Sequence, residues 1–208
     1  HHISTLEGGV CVSNDFELGE MMRIIRAHGW VRETKKPQKY LDKYPDIDPR
    51  FLFVNLGYNL RLTEIQGAMG SVQLPKLKGF VESRRNSAQI MITGLSKYKS
   101  VIQFQEETPK GMHSWFGFPI IVSKKALFST SDLRQYLELN GIETRPIICG
   151  NIALQPAVKM YKHRVYGRLE NASHVMKNGL AVACHQSLDE NACQHIVNTI
   201  SSFIDSFL

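Results

Sequence analysis

The spacing of apolar residues predicts long helices in the first half of the chain. The first helix has an apolar face formed by Leu18, Met21, Met22 and Ile25. Asn14, followed by Glu17 three positions later, is typical of the start of such a helix. A second helical pattern begins at Thr63, which has a glutamine three positions on, and it continues to Leu95. Pro75 is expected to divide this pattern into two helices, because proline removes a backbone donor and restricts the preceding residue.

From about Val101 onward, shorter apolar runs alternate with helical patterns. Strands are predicted at residues 9–13, 114–122, 142–148 and 180–183. Ser129 and Asp132 predict the start of a helix that ends at Asn140 and Gly141. The last helix has an apolar face formed by Ile196, Val197, Ile200, Phe203, Ile204 and Phe207. This alternation of strands and helices is typical of an α/β fold.

Composition narrows the class of protein. The chain has 208 residues, of which 43% are hydrophobic and 21% are charged, values typical of a globular protein. It contains no apolar run of about 18 residues and no secretory signal pattern at its start, so we expect a cytoplasmic protein. The four cysteines are widely spaced, which favours reduced thiols over a disulfide framework. Cys193 and His195 fall on different faces of a helix, so they predict no metal site with Cys184 and His185.

The formal net charge of +6 is compatible with binding nucleic acid, an anionic membrane or a phosphorylated ligand. The most basic segment, residues 31–50, carries Arg32, Lys35, Lys36, Lys39 and Lys43. We interpret it as a solvated loop rather than a nucleic-acid site, because it lacks an interleaved platform of aromatic residues. The sequence contains neither the glycine-rich nucleotide-binding motifs nor the common zinc-protease and serine-hydrolase motifs.

Four short motifs resemble, in the same order, those of the DegT/StrS family of pyridoxal-phosphate enzymes, which modify nucleotide-linked keto sugars. They are residues 1–9 (HHISTLEGG), 26–30 (RAHGW), 57–66 (GYNLRLTEIQ) and 141–146 (GIETRP). In this family, a lysine six residues before the glutamate of the Glu-Gly-Gly turn binds the coenzyme covalently. Here His1 stands at that position, which is similar to the 3-dehydratase branch of the family. The resemblance covers nearly all of the chain, but only about the C-terminal half of a family member.

The resemblance implies a fold-type-I, aspartate-aminotransferase-like α/β fold. Residues 1–58 would form the end of the large coenzyme domain, residues 59–97 the connecting helices, and residues 98–208 the small C-terminal α/β domain. Family members keep further coenzyme-binding groups in their N-terminal half. We therefore expect the 208-residue chain alone to be inactive.

The implied activity is the removal of the carbon-3 hydroxyl from a nucleotide-linked 4-keto-6-deoxy sugar, in bacterial lipopolysaccharide O-antigen biosynthesis. Pyridoxal phosphate and pyridoxamine phosphate would bind non-covalently, with glutamate as the amino donor. No iron–sulfur cluster is expected, because residues 31–50 contain no cysteine. The implied partners are a nucleotide-diphosphate sugar and a second copy of the chain that shares the active sites, with no nucleic acid and no membrane. Two alternatives stay open: a nucleotide-sugar aminotransferase of the same family, and a non-catalytic truncated dimerisation module.

The resemblance also assigns roles to individual residues. His1 would be the catalytic acid and base, since the ordinary pKa of imidazole lies near neutrality. The alternative is that His1 and His2 remain from a purification tag. Asn59 would bind the coenzyme phosphate of the other subunit, or it occupies a helix-entrance turn. His28 either contacts the active site across the dimer or ends its helix favourably near the helix dipole.

Three more residues are assigned to the substrate side. Arg61 would bind a diphosphate or carboxylate, for which a guanidinium is well suited, or it is a surface helix residue. The resemblance places Arg145 and Asn151 near the substrate or co-substrate. His113 and Trp115 are interpreted as packing residues of the small domain.

Overall fold

The computed structural model describes residues 2–208, which form two compact units. The first unit comprises residues 3–75, and the second comprises residues 76–208 together with His2. The division into a large-domain remnant, connecting helices and a small domain stays a prediction about the larger family fold. No helix among residues 2–208 combines the length and the apolar character that a membrane span requires.

The first unit contains three helices joined by irregular segments. Helix α1 spans Phe16–Arg26, α2 spans Gln38–Leu41 and α3 spans Glu64–Gln73, with a 3-10 turn at Pro49–Phe51. Asp15, rather than Asn14, caps α1 by accepting a hydrogen bond from the N–H of Leu18 at 3.1 Å. The capping box predicted at the start of α3 is confirmed, because the N–H of Thr63 donates to Oε1 of Gln66 at 2.8 Å.

The predicted strand at residues 9–13 is wrong. These residues form an irregular segment, and the side chains of Val10 and Val12 are 84% and 86% exposed. The apolar alternation is typical of a strand, but within the described part of the chain this segment pairs with no other strand. Because a strand exists only through hydrogen bonds to a neighbour, the pattern alone does not produce one here.

The basic segment at residues 31–50 is predicted to be a solvated loop, and the structure differs from this prediction only in part. It contains helix α2, and the ammonium groups of Lys39 and Lys43 lie 5.7 Å and 5.4 Å from the ring centres of Tyr40 and Tyr44. Each of these lysines lies within cation–π range of the tyrosine that follows it, so both rings have a basic partner within the segment. Most side chains of the segment are exposed, as a solvated surface requires.

The second unit is a four-stranded antiparallel sheet with four helices. The strands are β1 (Ile102–Phe104), β2 (Phe118–Val122), β3 (Thr144–Arg145) and β4 (Gly179–Val182), in the order β1-β2-β4-β3. The helices are α4 (Leu77–Gly94), α5 (Thr130–Leu139), α6 (Glu170–Asn178) and α7 (Glu190–Asp205). A 3-10 turn at Leu74–Lys76 separates α3 from α4, which confirms the predicted division at Pro75.

The core of the second unit lies between the sheet and the apolar faces of its helices. Helices α5 and α6 contact the sheet, while α4 packs along α7. The predicted apolar face of α7 is buried from Ile196 to Ile204, whereas Phe207 lies beyond the helix end and is 37% exposed. The predicted cap of α5 is confirmed, since Ser129 and Asp132 form a capping box.

Two strands are shorter than predicted, and the backbone explains both differences. Strand β2 begins at Phe118 rather than at residue 114, because the carbonyls just before it accept hydrogen bonds from the buried side chain of Arg84. Strand β3 contains only two residues of the predicted 142–148 segment. Ile148 and Gly150 have φ angles of +46° and +61°, which turn the chain away from a strand path.

Candidate active site

Two segments of the first unit meet through backbone hydrogen bonds and carry three of the predicted site residues. The segment after α1 holds His28, and the segment before α3 holds Asn59 and Arg61. The N–H of His28 donates to the carbonyl of Tyr58 at 2.8 Å, and the N–H of Tyr58 donates to the carbonyl of Ile25 at 2.7 Å. These bonds bring together residues that are distant in the sequence.

Two glycines make this close approach possible. A β-carbon at Gly29 would lie 1.9 Å from the carbonyl oxygen of Asn55, and one at Gly57 would lie 2.3 Å from the backbone nitrogen of Gly29. Gly29 also has a φ angle of +89°, which L-amino acids with a side chain rarely adopt. Both glycines belong to the family-like motifs. Parts of these motifs are therefore explained by the close backbone approach, which leaves no room for a β-carbon, and not by side-chain chemistry.

Asn59 and Arg61 are exposed polar residues that contact each other. Nε of Arg61 donates to Oδ1 of Asn59 at 3.2 Å. Nη1 of Arg61 lies 4.0 Å from Oε1 of Glu33, and the other oxygen of Glu33 accepts a hydrogen bond from Arg26 at 2.7 Å. Among residues 2–208, Nδ2 of Asn59 has no hydrogen-bond partner, which leaves it able to donate to an anion.

His28 is half-buried beside aromatic residues that the sequence did not single out. It follows the C-terminal cap of α1 with a φ angle of +60°, and its ring lies edge-on to Trp30 with 4.8 Å between centroids. Trp30 contacts Phe53 at 5.4 Å, and the guanidinium carbon of Arg32 lies 3.7 Å from the centre of the Trp30 ring. Arg32 therefore contacts this cluster while its side chain stays exposed. The sequence feature that could have indicated this contact is the position of Arg32, two residues after the RAHGW motif.

Arg145 and Asn151 belong to the second unit. Arg145 is exposed, and its Nε and Nη2 both donate to Oε1 of Glu143 at 3.0 Å. Asn151 is only 4% exposed; its Nδ2 donates to Ser173 at 2.9 Å and its Oδ1 accepts from the N–H of Ala153 at 3.1 Å. The Oδ1 of Asn151 thus caps a local turn while its Nδ2 ties that turn to Ser173 of α6, and its contact with a substrate stays a prediction.

The proposed catalytic His1 lies outside the described residues. Its neighbour His2 belongs to the second unit, in which Nε2 of His2 lies 3.2 Å from the carbonyl oxygen of Ser114. Burial is the main cause that lowers the pKa of His2 from 6.5; the hydrogen bond to Ser114 opposes this shift and the charge of Arg84 adds to it. A neutral ring must therefore donate from Nε2, because a carbonyl oxygen only accepts.

The motifs and the fold agree with comparisons to known proteins. The model of the DegT/DnrJ/EryC1/StrS aminotransferase family matches residues 1–201. The chain belongs to this family. The GDP-4-keto-6-deoxy-D-mannose 3-dehydratase of Escherichia coli O55:H7 is similar to it, with 39% identity over 191 residues, covering 89% of this chain and 48% of the relative.

Solved structures of the family show the same fold. An E. coli GDP-4-keto-6-deoxy-D-mannose-3-dehydratase with bound hydrated PLP matches 96% of this chain and 51% of its own, with a TM-score of 0.84 and 33% identity. A GDP-4-keto-6-deoxymannose-3-dehydratase with a trapped PLP-glutamate geminal diamine matches 96% of this chain and 52% of its own, with a TM-score of 0.83 and 33% identity. The predicted α/β fold and family are confirmed, and the chain spans about half the length of these relatives.

The cysteines and histidines of the second unit form no metal centre within the described part of the chain. Among residues 2–208, no group of three or more His, Cys, Asp or Glu side chains is arranged to hold a metal ion. Cys184 is buried, and burial raises the pKa of its thiol to about 12. Such a thiol stays protonated at neutral pH, which suits a packing role rather than ligation or nucleophilic chemistry.

Proposed function

We propose that this chain contributes to a 3-dehydratase that acts on a nucleotide-linked 4-keto-6-deoxy sugar with the help of pyridoxal phosphate and pyridoxamine phosphate. The observation that carries the proposal is the 39% identity to a 3-dehydratase, combined with a histidine at position 1 where the aminotransferases resembled here carry lysine. The enzyme would work in the cytoplasm, in bacterial lipopolysaccharide O-antigen biosynthesis.

The residues of the first unit fit a ligand that carries phosphate. Asn59 offers an amide donor that is unpaired among residues 2–208, and Arg61 offers a guanidinium next to it. Amide N–H groups and guanidinium forks are the donors that phosphate oxygens prefer in proteins. Asn59 would hold the coenzyme phosphate of the other subunit of a homodimer, and Arg61 would hold the substrate diphosphate. His28, Arg145 and Asn151 are proposed to contact the substrate or co-substrate.

His1 determines the type of reaction in this proposal. An imidazole forms no stable covalent link to the coenzyme, whereas the amine of lysine does. When bound, pyridoxamine phosphate supplies an amine and an electron sink. His1 would act as the acid that protonates the departing carbon-3 hydroxyl oxygen of the sugar, because imidazole exchanges protons near neutrality. Glutamate is the proposed amino donor, consistent with the solved relative that holds a PLP-glutamate adduct.

An aminotransferase is the second candidate, because the matching family is named for that activity. The two reactions differ in the products that they form from the same reactants. A 3-dehydratase converts the keto sugar and glutamate into a sugar lacking one oxygen, 2-oxoglutarate and ammonia. An aminotransferase converts the same reactants into an amino sugar and 2-oxoglutarate, without ammonia. Ammonia release therefore separates the two activities.

The experiment uses the full-length protein with pyridoxal phosphate, glutamate and a GDP-linked 4-keto-6-deoxy sugar. We expect mass spectrometry to show a product that lacks one oxygen, with ammonia formed in equal amount. His1→Asn should abolish this product, while His163→Asn, a change at an exposed histidine, should not affect it. A stable amino sugar without ammonia would establish the aminotransferase instead. No reaction by the full-length protein, with neither product formed, would favour the non-catalytic module.

A further inference from the structure

A carboxylate in the first unit lies between two guanidinium groups that belong to different segments of the chain. Oε2 of Glu33 accepts a hydrogen bond from Nη2 of Arg26 at 2.7 Å, and Oε1 of Glu33 lies 4.0 Å from Nη1 of Arg61. The side chain of Glu33 is 25% exposed, compared with 49% for Arg26 and 41% for Arg61. The carboxylate is therefore the least exposed group of the three, and each of its oxygens faces a different arginine.

The backbone that carries Glu33 is held in a fixed turn. The N–H and the hydroxyl of Thr34, a buried residue, both donate to the carbonyl of Val31, at 2.9 Å and 2.7 Å. Val31 is buried as well, and its N–H donates to the carbonyl of Leu52 at 3.2 Å. Because buried hydrogen bonds are costly to break, the turn keeps its place in the unit. The carboxylate of Glu33 therefore projects from a defined backbone position.

The backbone next to Arg61 is also fixed, so only its long side chain needs to be oriented. The N–H of Leu60 donates to the carbonyl of Arg26 at 2.9 Å, which joins the two segments that carry the arginines. On the side chain, Nε of Arg61 donates to Oδ1 of Asn59 at 3.2 Å, and the carboxylate of Glu33 lies near Nη1. The guanidinium of Arg61 thus has a neighbour on two of its three nitrogens.

The contacts of Arg61 leave donors free for an anion. Among residues 2–208, Nη2 of Arg61 and Nδ2 of Asn59 have no hydrogen-bond partner. The distance of 4.0 Å between Nη1 of Arg61 and Oε1 of Glu33 is longer than a hydrogen bond, so Glu33 attracts the guanidinium without occupying its N–H groups. Two guanidinium groups and one carboxylate also leave an excess of positive charge, which favours an anionic ligand.

We propose that Glu33 is a positioning residue, which Arg26 holds in place and which orients the guanidinium of Arg61 for the diphosphate of a nucleotide-linked substrate. The inference rests on the part of the proposed function that assigns Arg61 to this diphosphate. A free arginine side chain loses rotamer entropy when a ligand immobilises it, whereas a guanidinium that is already oriented loses less. Glu33 therefore strengthens the binding of an anion, although its own carboxylate repels that anion.

The sign of one substitution separates positioning from charge repulsion. Glu33→Gln removes a negative charge near the anion site, so charge alone predicts tighter binding of GDP, the probe that carries a diphosphate. If Glu33 positions Arg61, this change should instead raise the Kd for GDP about 3- to 10-fold, the cost of immobilising one long side chain. Isothermal titration calorimetry on the full-length protein at constant salt measures the Kd. The matched control Glu17→Gln removes an exposed carboxylate that pairs with Lys39 in the same unit, and it should change the Kd less than about 1.5-fold.

A double-mutant cycle tests whether Glu33 acts through Arg61. In an Arg61→Met background, Glu33→Gln should no longer weaken the binding of GDP, because the side chain that Glu33 orients is gone. An equal loss of affinity in both backgrounds would show that Glu33 acts independently of Arg61, and it would overturn the proposal. Binding of GDP by the single variant Glu33→Gln that is as tight as in the wild type, or tighter, would overturn it as well.

The positioning role and the proposed function fail in different ways. If the wild-type protein forms the 3-deoxy sugar while Glu33→Gln keeps the wild-type Kd for GDP, the positioning role is refuted and the dehydratase stands. If the wild-type protein forms no 3-deoxy sugar but the GDP titrations give the expected losses, the dehydratase fails and the positioning role stands as part of a nucleotide site. A wild-type protein that binds no GDP refutes the positioning role, whatever its activity.

Discussion

Replacing Arg84 by methionine should destabilise the second unit by about 2–4 kcal/mol. Methionine keeps an unbranched apolar stem but leaves the carbonyls of Trp115 and Cys184 buried without their donor. Each buried acceptor left unpaired costs about 1–3 kcal/mol, which gives a gross loss of about 2–6 kcal/mol. The substitution also removes the cost of burying the guanidinium charge, which offsets part of that loss. The net loss of stability stays at about 2–4 kcal/mol because the substitution removes several hydrogen bonds but only one buried charge.

Urea unfolding followed by tryptophan fluorescence measures this effect. The chain has two tryptophans, so a Trp30→Phe background leaves Trp115, which is 5% exposed in the second unit, as the sole reporter. The matched control is Arg134→Met on the exposed face of α5, which should change the free energy of unfolding by less than about 0.5 kcal/mol. If Arg84→Met behaves like Arg134→Met, the hydrogen bonds of Arg84 contribute no net stability and the reasoning is refuted.

Three further changes test other parts of the structure. Leu133→Ala in the buried core should cost about 2–5 kcal/mol in urea unfolding, whereas Leu139→Ala, 79% exposed on the same helix, should cost almost nothing. Gly57→Ala should cost about 1–3 kcal/mol by overpacking and speed hydrogen exchange at the His28 N–H; unchanged exchange contradicts this. Hydrogen bonding from Arg85 lowers the pKa of Glu107 from 4.5 to about 2. Its stabilisation is therefore complete above pH 4.5 and is lost as pH falls toward 2, a dependence that Glu107→Gln should weaken in pH-resolved thermal unfolding.

Helices α1, α3, α4, α5 and α7 could be predicted because their signals are local, whereas α2 and α6 were missed. The capping boxes at Thr63 and Ser129 and the break at Pro75 involve residues within a few positions of one another. The apolar face of α7 likewise depends only on helical spacing. Strands were predicted less well, because a strand requires a partner from elsewhere in the sequence. The Val10 and Val12 pattern lacks such a partner within the described residues, so the pattern forms no strand.

The candidate site shows the same limit. The family-like motifs identified His28, Asn59 and Arg61, and the structure brings the three together through backbone hydrogen bonds that no local pattern reveals. Arg84 could not be predicted as a buried residue, because arginine on an amphipathic helix is normally exposed. Only the fold places the two loops that supply its acceptors around one helix position.

The close approach of two segments in the first unit has a kinetic consequence. In the first unit, the absence of side chains at Gly29 and Gly57 allows the backbones to meet and sets the position of Asn59, a proposed phosphate-binding residue. A phosphate contact far from the reacting bond stabilises the bound ground state and the transition state alike. Gly57→Ala should therefore act mainly on KM, and a change confined to kcat would contradict the proposed phosphate contact.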